Sequence, residues 1–109
     1  MMDEQEFRTQ SDQALTALYN ALAAASDDHD FDPDMNNGAL AIEFDDPPAK
    51  FVISPNTPVR QIWVSAHSRS FKLDWDAARG LFAMPVTGQT LKELIEEHIE
   101  QQIGEKITL

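Results

Sequence analysis

Residues 56–75 read NTPVRQIWVSAHSRSFKLDW. Within them QIWVSA (61–66) and SFKLDW (70–75) each alternate apolar with polar or small residues, the period of a half-buried strand. If Ile62, Val64 and Ala66 face a core, then Gln61, Trp63 and Ser65 face the other way. The connection "HSR" is far too short for a crossover helix, so these two strands pair antiparallel.

The same period continues on both sides. In ALAIEF (39–44), Leu40, Ile42 and Phe44 alternate with small or polar residues, behind the turn signal Asn36-Asn37-Gly38. Asp45-Asp46-Pro47-Pro48 turns the chain into KFVIS (50–54), PNTPVR (55–60) reads as a loop, and LFAMP (81–85) follows the connection DAARG. Ahead of these, Phe31 opens a short extended stretch. At the two ends the period changes to that of a helix. Over 4–25, Phe7, Ser11, Ala14, Leu15, Leu18, Leu22 and Ala25 form one stripe, with no Pro or Gly inside. Over the last segment Leu91, Leu94, Ile95, His98, Ile99, Gln102 and Ile103 form another. It begins at Thr90-Leu91-Lys92-Glu93, a capping box, and ends at Gly104, with a tail EKITL whose apolar side chains can pack back. Helix, five to six strands on short connections, then helix predicts an α+β fold. It is a two-layer α/β sandwich with both helices on one face of an antiparallel sheet, in a single domain over residues 1–109.

Composition narrows the function. The 109 residues contain no cysteine, which excludes a disulfide framework, thiol catalysis and a cluster held by the chain's own thiolates. The acidic start MMDEQEF has neither the basic nor the apolar region of a signal peptide, and no apolar run reaches the ~20 residues of a membrane span, so a cytoplasmic protein is expected. The net charge of −11 makes nucleic acid and anionic membranes poor partners. The charge is also lopsided. Residues 1–34 hold nine of the nineteen acids and only Arg8 as a base, whereas residues 47–92 hold six bases against Asp74 and Asp76.

Nothing reads as an enzyme. His29, His67 and His98 fall in a turn, a strand connection and a helix, without a serine–acid partner or HExxH spacing. His67 reads as a surface loop residue and His98 as a boundary residue of the helix stripe. The feature that stands out is DDHDFDPDMNNG (27–38). Asp32, Asp34, Asn36 and Glu43 have EF-hand-like spacing, but position six is Asn37 rather than Gly and the flanks are not two helices. In an extended segment Asp28, Asp30, Asp32 and Asp34 would share one face about 7 Å apart, with His29 and Phe31 on the other. Open carboxylates on an edge suit hard cations bound loosely. The same charges serve equally to keep an exposed edge from pairing with another chain. Trp63, facing away from the helices, is either an interface anchor or local packing beneath Arg60 or Pro58.

The string 56–75, together with the acidic first helix and strand, the Asn-Gly turn before ALAIEF and the closing amphipathic helix, resembles the frataxin family in its bacterial branch. Thr57-Pro58, Gln61-Ile62-Trp63, Ser65 and Asp74-Trp75 carry the match, which covers essentially the whole chain. The resemblance implies an α–β sandwich that binds iron (Fe2+/Fe3+) weakly through an acidic ridge, with other divalent cations competing. It implies a regulator of iron–sulfur cluster assembly and possible iron donor, contacting the cysteine desulfurase and the scaffold protein and monomeric without iron. By position the ridge becomes Glu4, Glu6, Asp12, Asp27, Asp28, Asp30, Asp32 and Asp34, and the sheet contact Asn56, Gln61 and Trp63. The sequence departs from the bacterial pattern at Tyr19, Asn20, Ala23 and Ala24, where acids are common, at Asn37, and at Ser54-Pro55. An acidic protein-interaction module with incidental metal binding is the alternative. Ferroxidase activity, attributed to the family, has no legible di-iron site here.

Overall fold

The computed structural model describes residues 2–109. Helix α1 (Glu4–Ala25) is followed by strands β1 (Asp32–Asn36), β2 (Ala39–Asp45), β3 (Pro48–Asn56), β4 (Gln61–Ala66), β5 (Arg69–Asp76) and β6 (Leu81–Ala83), and by helix α2 (Leu91–Ile103). The six strands form one antiparallel sheet in chain order, at the upper end of the expected five to six. Both helices lie on the same face of that sheet.

The core is the union of the predicted stripes. Phe7, Leu15, Leu18 and Leu22 of α1 and Leu91, Leu94, Ile95 and Ile99 of α2 are buried against Leu40, Ile42, Phe44, Phe51, Ile53, Ile62, Val64 and Leu73 of the sheet. The other face of the sheet has no cover. It carries Asp32 and Asp34 of β1, Glu43 of β2, Lys50 and Val52 of β3, Gln61, Trp63 and Ser65 of β4, and Lys72 and Asp74 of β5.

Two tight turns set the register. Asn37 (φ 54) and Gly38 (φ 81) both adopt the left-handed region of a type I′ hairpin, so Asn36 faces Ala39 and, counting back, Asp32 faces Glu43. His67 (φ 53) and Ser68 (φ 61) do the same without a glycine, so Ala66 faces Arg69, Trp63 faces Lys72 and Gln61 faces Asp74.

Helix ends follow the capping chemistry. The Glu6 amide donates to Asp3 Oδ1 at 2.8 Å at the start of α1. At α2 the Glu93 amide donates to Thr90 Oγ1 (3.1 Å) while the Thr90 amide donates to Glu93 Oε1 (2.9 Å), completing the predicted box. Gly104 closes the helix at φ 72. The tail does fold back. Ile107 is buried, its amide held by Glu100, and the Leu109 amide donates to Glu96 at 2.7 Å.

Three expectations need correction. Residues 26–30 form turns and a bend rather than extended chain, so Asp28 and Asp30 do not share a strand face with Asp32 and Asp34. After α1 the chain must reverse, and the amides of Asp27 and Asp28 still bond the carbonyls of Ala24 and Ala25. Residues 55–60 are not simply a loop. Strand β3 runs to Asn56, and Thr57–Val59 is a 3-10 turn closed by Arg60 in the left-handed region (φ 56). Strand β6 stops at Ala83, because Met84 bonds instead to Gly88 and Gln89 across the next turn.

Candidate functional site

All eight acids of the expected ridge are exposed, but the fold does not place them together. Asp27, Asp28, Asp30, Asp32 and Asp34 follow one another from the C-terminal end of α1 into the edge strand β1. Glu4 and Glu6 sit at the opposite end of α1, whose 22 residues span about 33 Å. Asp12 lies between, on the solvent side of the helix. Glu4 is also partly neutralised, since Arg8 Nη2 donates to its Oε1 at 2.7 Å. The ridge is thus one dense group at residues 27–34 and a sparse trail along the helix.

Two features make the dense group electrostatically unfavourable. Asp27 and Asp28 directly follow the C-terminus of α1, where the helix dipole is negative, and the last turn holds no basic residue to offset it. Asp32 stands opposite Glu43 in the β1–β2 ladder, a pair of like charges on the exposed face, and only beyond Glu43 does a cation, Lys50, stand opposite in turn. Glu43 was missed as a member of this group, although the Asn37-Gly38 turn signalled the register that puts it there. The turn at residues 26–30 is held from below. Phe31 is buried against Phe44 (ring centroids 6.0 Å), His29 stacks on Phe31, and His29 Nδ1 lies 2.9 Å from Glu105 Oε1. An anchored base therefore carries exposed carboxylates. Among the described residues, no three or more His, Asp or Glu side chains converge on a single closed metal cage. This arrangement suits loosely held hard cations with retained waters.

Asn56, Gln61 and Trp63 do come together on the open face. Asn56 faces Gln61 across the β3–β4 ladder, and Trp63 Nε1 donates to Gln61 Oε1 at 3.0 Å. Gln61 Nε2 in turn donates to Asp74 Oδ1 at 3.0 Å. Lys72 Nζ lies 5.0 Å from the Trp63 ring centroid, a cation–π contact. Trp63 is 38% exposed, and the cation over its ring is Lys72. Lys72 and Asp74 were also missed, although the two-residue turn at 67–68 fixes them as the partners of Trp63 and Gln61. Trp63 borders a shallow depression with Val52, Ser54, Ser65 and Lys72. From β1 to β4 is three strand spacings, about 14 Å. The acidic edge and the tryptophan are thus close enough to fall within one interface of ordinary size.

His67 is exposed in the turn, as expected, but its Nδ1 lies 3.0 Å from His98 Nδ1. His98 is the other correction, because at 2% exposure it lies within the core rather than at its boundary. No helix among the described residues is long and apolar enough to cross a membrane.

Comparison with known proteins agrees with this architecture. Residues 1–105 match the family model of the frataxin-like domain. The iron-sulfur cluster assembly protein CyaY of Azotobacter vinelandii is 34% identical over 83 residues, covering 74% of each chain. That of Pseudomonas entomophila is 32% identical over 95 residues, covering 85% of this chain and 86% of its own. Among solved structures, frataxin from Psychromonas ingrahamii superposes with a TM-score of 0.84 at 22% identity, over 97% of this chain and 96% of that one. Trimeric yeast frataxin superposes with a TM-score of 0.74 at 23% identity, over 88% of this chain and 80% of that one. The chain belongs to the frataxin-like family, in its bacterial CyaY branch.

Proposed function

We propose that this protein serves iron–sulfur cluster assembly in the cytoplasm, as a non-catalytic module that binds iron weakly and regulates a cysteine desulfurase–scaffold complex. Asp27, Asp28, Asp30, Asp32 and Asp34, with Glu43 beside them, receive the iron or a basic surface of the desulfurase. Asn56, Gln61 and Trp63 make the contact on the open sheet face. Glu4, Glu6 and Asp12 add long-range negative potential rather than ligands to the same ion. Without iron the protein is a monomer.

The observation that carries this reading is the placement of carboxylates where they cost stability, past a helix C-terminus and opposite one another on an edge. A fold keeps such an arrangement when binding something positive offsets it. Among the described residues no cage converges, which favours a second reading, in which the basic partner is the ligand and metal binding is incidental.

Replacing Asp28, Asp30 and Asp32 with Asn separates the two. Fe2+ binding is followed by anaerobic calorimetry and desulfurase binding by surface-capture kinetics. Loss of both supports the first reading. Retained metal binding with lost partner binding supports the second. Retention of both contradicts an acidic site at 27–34.

A further inference from the structure

The histidine pair on the helix side of the sheet is unused by this function, and its hydrogen bonds are directional. Gln102 Nε2 donates to the Pro47 carbonyl at 2.7 Å, which leaves Gln102 Oε1 as an acceptor. His67 Nε2 lies 3.0 Å from that oxygen and must carry the proton. Neutral His67 then has a bare Nδ1, so the 3.0 Å contact is a donation from His98 Nδ1–H to His67 Nδ1. The chain of bonds runs from α2 to the turn of the β4–β5 hairpin and on to the β2–β3 turn. It holds His67, whose backbone sits in the left-handed region at φ 53.

We propose that the His67–His98 pair is an acid-released latch tying the β4–β5 turn to the C-terminal half of α2. A proton on His67 Nδ1 points an N–H at another N–H, and the bond is lost. A proton on His98 Nε2 keeps the bond but places a cation in a site walled by Phe51 (ring centroids 6.2 Å) and Phe71 (5.0 Å). Charged and titratable neighbours come from three elements: His67 of the hairpin turn, Arg69 of β5, whose guanidinium lies over Phe71, and Glu97 of α2. The β2–β3 turn offers the neutral Pro47 carbonyl. Burial first, then His67, hold His98 below the ordinary imidazole range; Glu97 opposes this and Arg69 adds to it. Because the folded imidazole binds protons less well than the unfolded one, the latch is fully closed above about pH 6.5 and weakens as pH falls through that value.

The test is long-range 1H–15N imidazole spectroscopy and amide exchange on the intact protein between pH 7.5 and 5.5. The latch predicts an Nδ1–H tautomer for His98, an Nε2–H tautomer for His67, and a His98 midpoint below 6.5. After correction for intrinsic rates, exchange at residues 67–70 rises about tenfold or more on acidification, while Asp46 and Ala49, beside the Gln102–Pro47 bond, and the Asn37-Gly38 turn are unchanged. His67→Asn, which tolerates the left-handed backbone, removes that pH dependence. Gln102→Ala, at a partly buried position outside the core, loosens Asp46 and Ala49 at every pH and mixes the His67 tautomers. Two independent Nε2–H imidazoles titrating near 6.5 would overturn the proposal. So would acid-induced exchange that persists undiminished in His67→Asn.

Discussion

Trp63 is held by two side chains and is otherwise open. Its indole N–H is satisfied by Gln61, its ring is flanked by Lys72, and the rest faces solvent. Such a side chain is pre-oriented, so a partner that covers it loses little side-chain entropy on binding. Trp63→Ala is expected to weaken binding to the desulfurase–scaffold complex by ~2–4 kcal/mol, mostly through faster dissociation. The same variant should keep a near-native melting temperature, unlike Leu94→Ala in the core, which costs ~2–5 kcal/mol of stability. Binding kinetics and thermal melting on one sample check both; a Trp63→Ala protein that melts like a core variant and binds normally would make the residue packing. Its outward direction was legible from the alternation around Ile62, Val64 and Ala66. Its cation was not, because that depends on which residue of β5 stands opposite.

At the scale of elements, the two helices end in opposite ways. Helix α2 is capped at both ends, and the hydrogen bonds from Thr90 keep the Glu93 carboxyl below its ordinary range. A depressed folded value means that the capping box contributes fully above about pH 4.5 and is lost as pH falls through the folded value. Thr90→Ala should cost ~0.5–2 kcal/mol, read as a drop in the melting temperature. Helix α1 ends without a base, against Asp27 and Asp28. Asp27→Asn and Asp28→Asn are therefore expected to stabilise the fold slightly at low salt while weakening cation binding, an opposition that melting and calorimetry on the same variants can detect. The strands and caps were readable because alternation, Asn-Gly turns and capping boxes are local signals. The course of residues 26–30 was not, since a run of alternating aspartates looks extended. What overrides the pattern is the burial of Phe31 on Phe44 and the need to reverse direction after α1.

For the whole molecule, the sheet has one covered and one open face. Six strands bury one side under the helices and leave the other bare, with carboxylates at the β1 edge and a tryptophan three strands away. The net charge of −11 makes association with a basic partner fast and strongly salt-dependent, and neutralising Asp28, Asp30 and Asp32 should slow association and flatten that dependence. The pairing of His67 with His98 lay beyond sequence reading, because the two are 31 residues apart and meet only when the sheet is assembled. The division of the acidic ridge lay within reach, since 22 helical residues separate Glu4 from Asp27 by a distance no single ion bridges. The central claim is that residues 27–34 receive iron. An anaerobic Fe2+ titration followed by 1H–15N NMR tests it most directly. The account predicts weak, saturable perturbation centred on Asp27–Asp34 and Glu43, sparse at Tyr19–Ala24, and reversed by excess of another divalent cation. Perturbation centred on His67 and His98, or no saturable perturbation at 27–34, would contradict it.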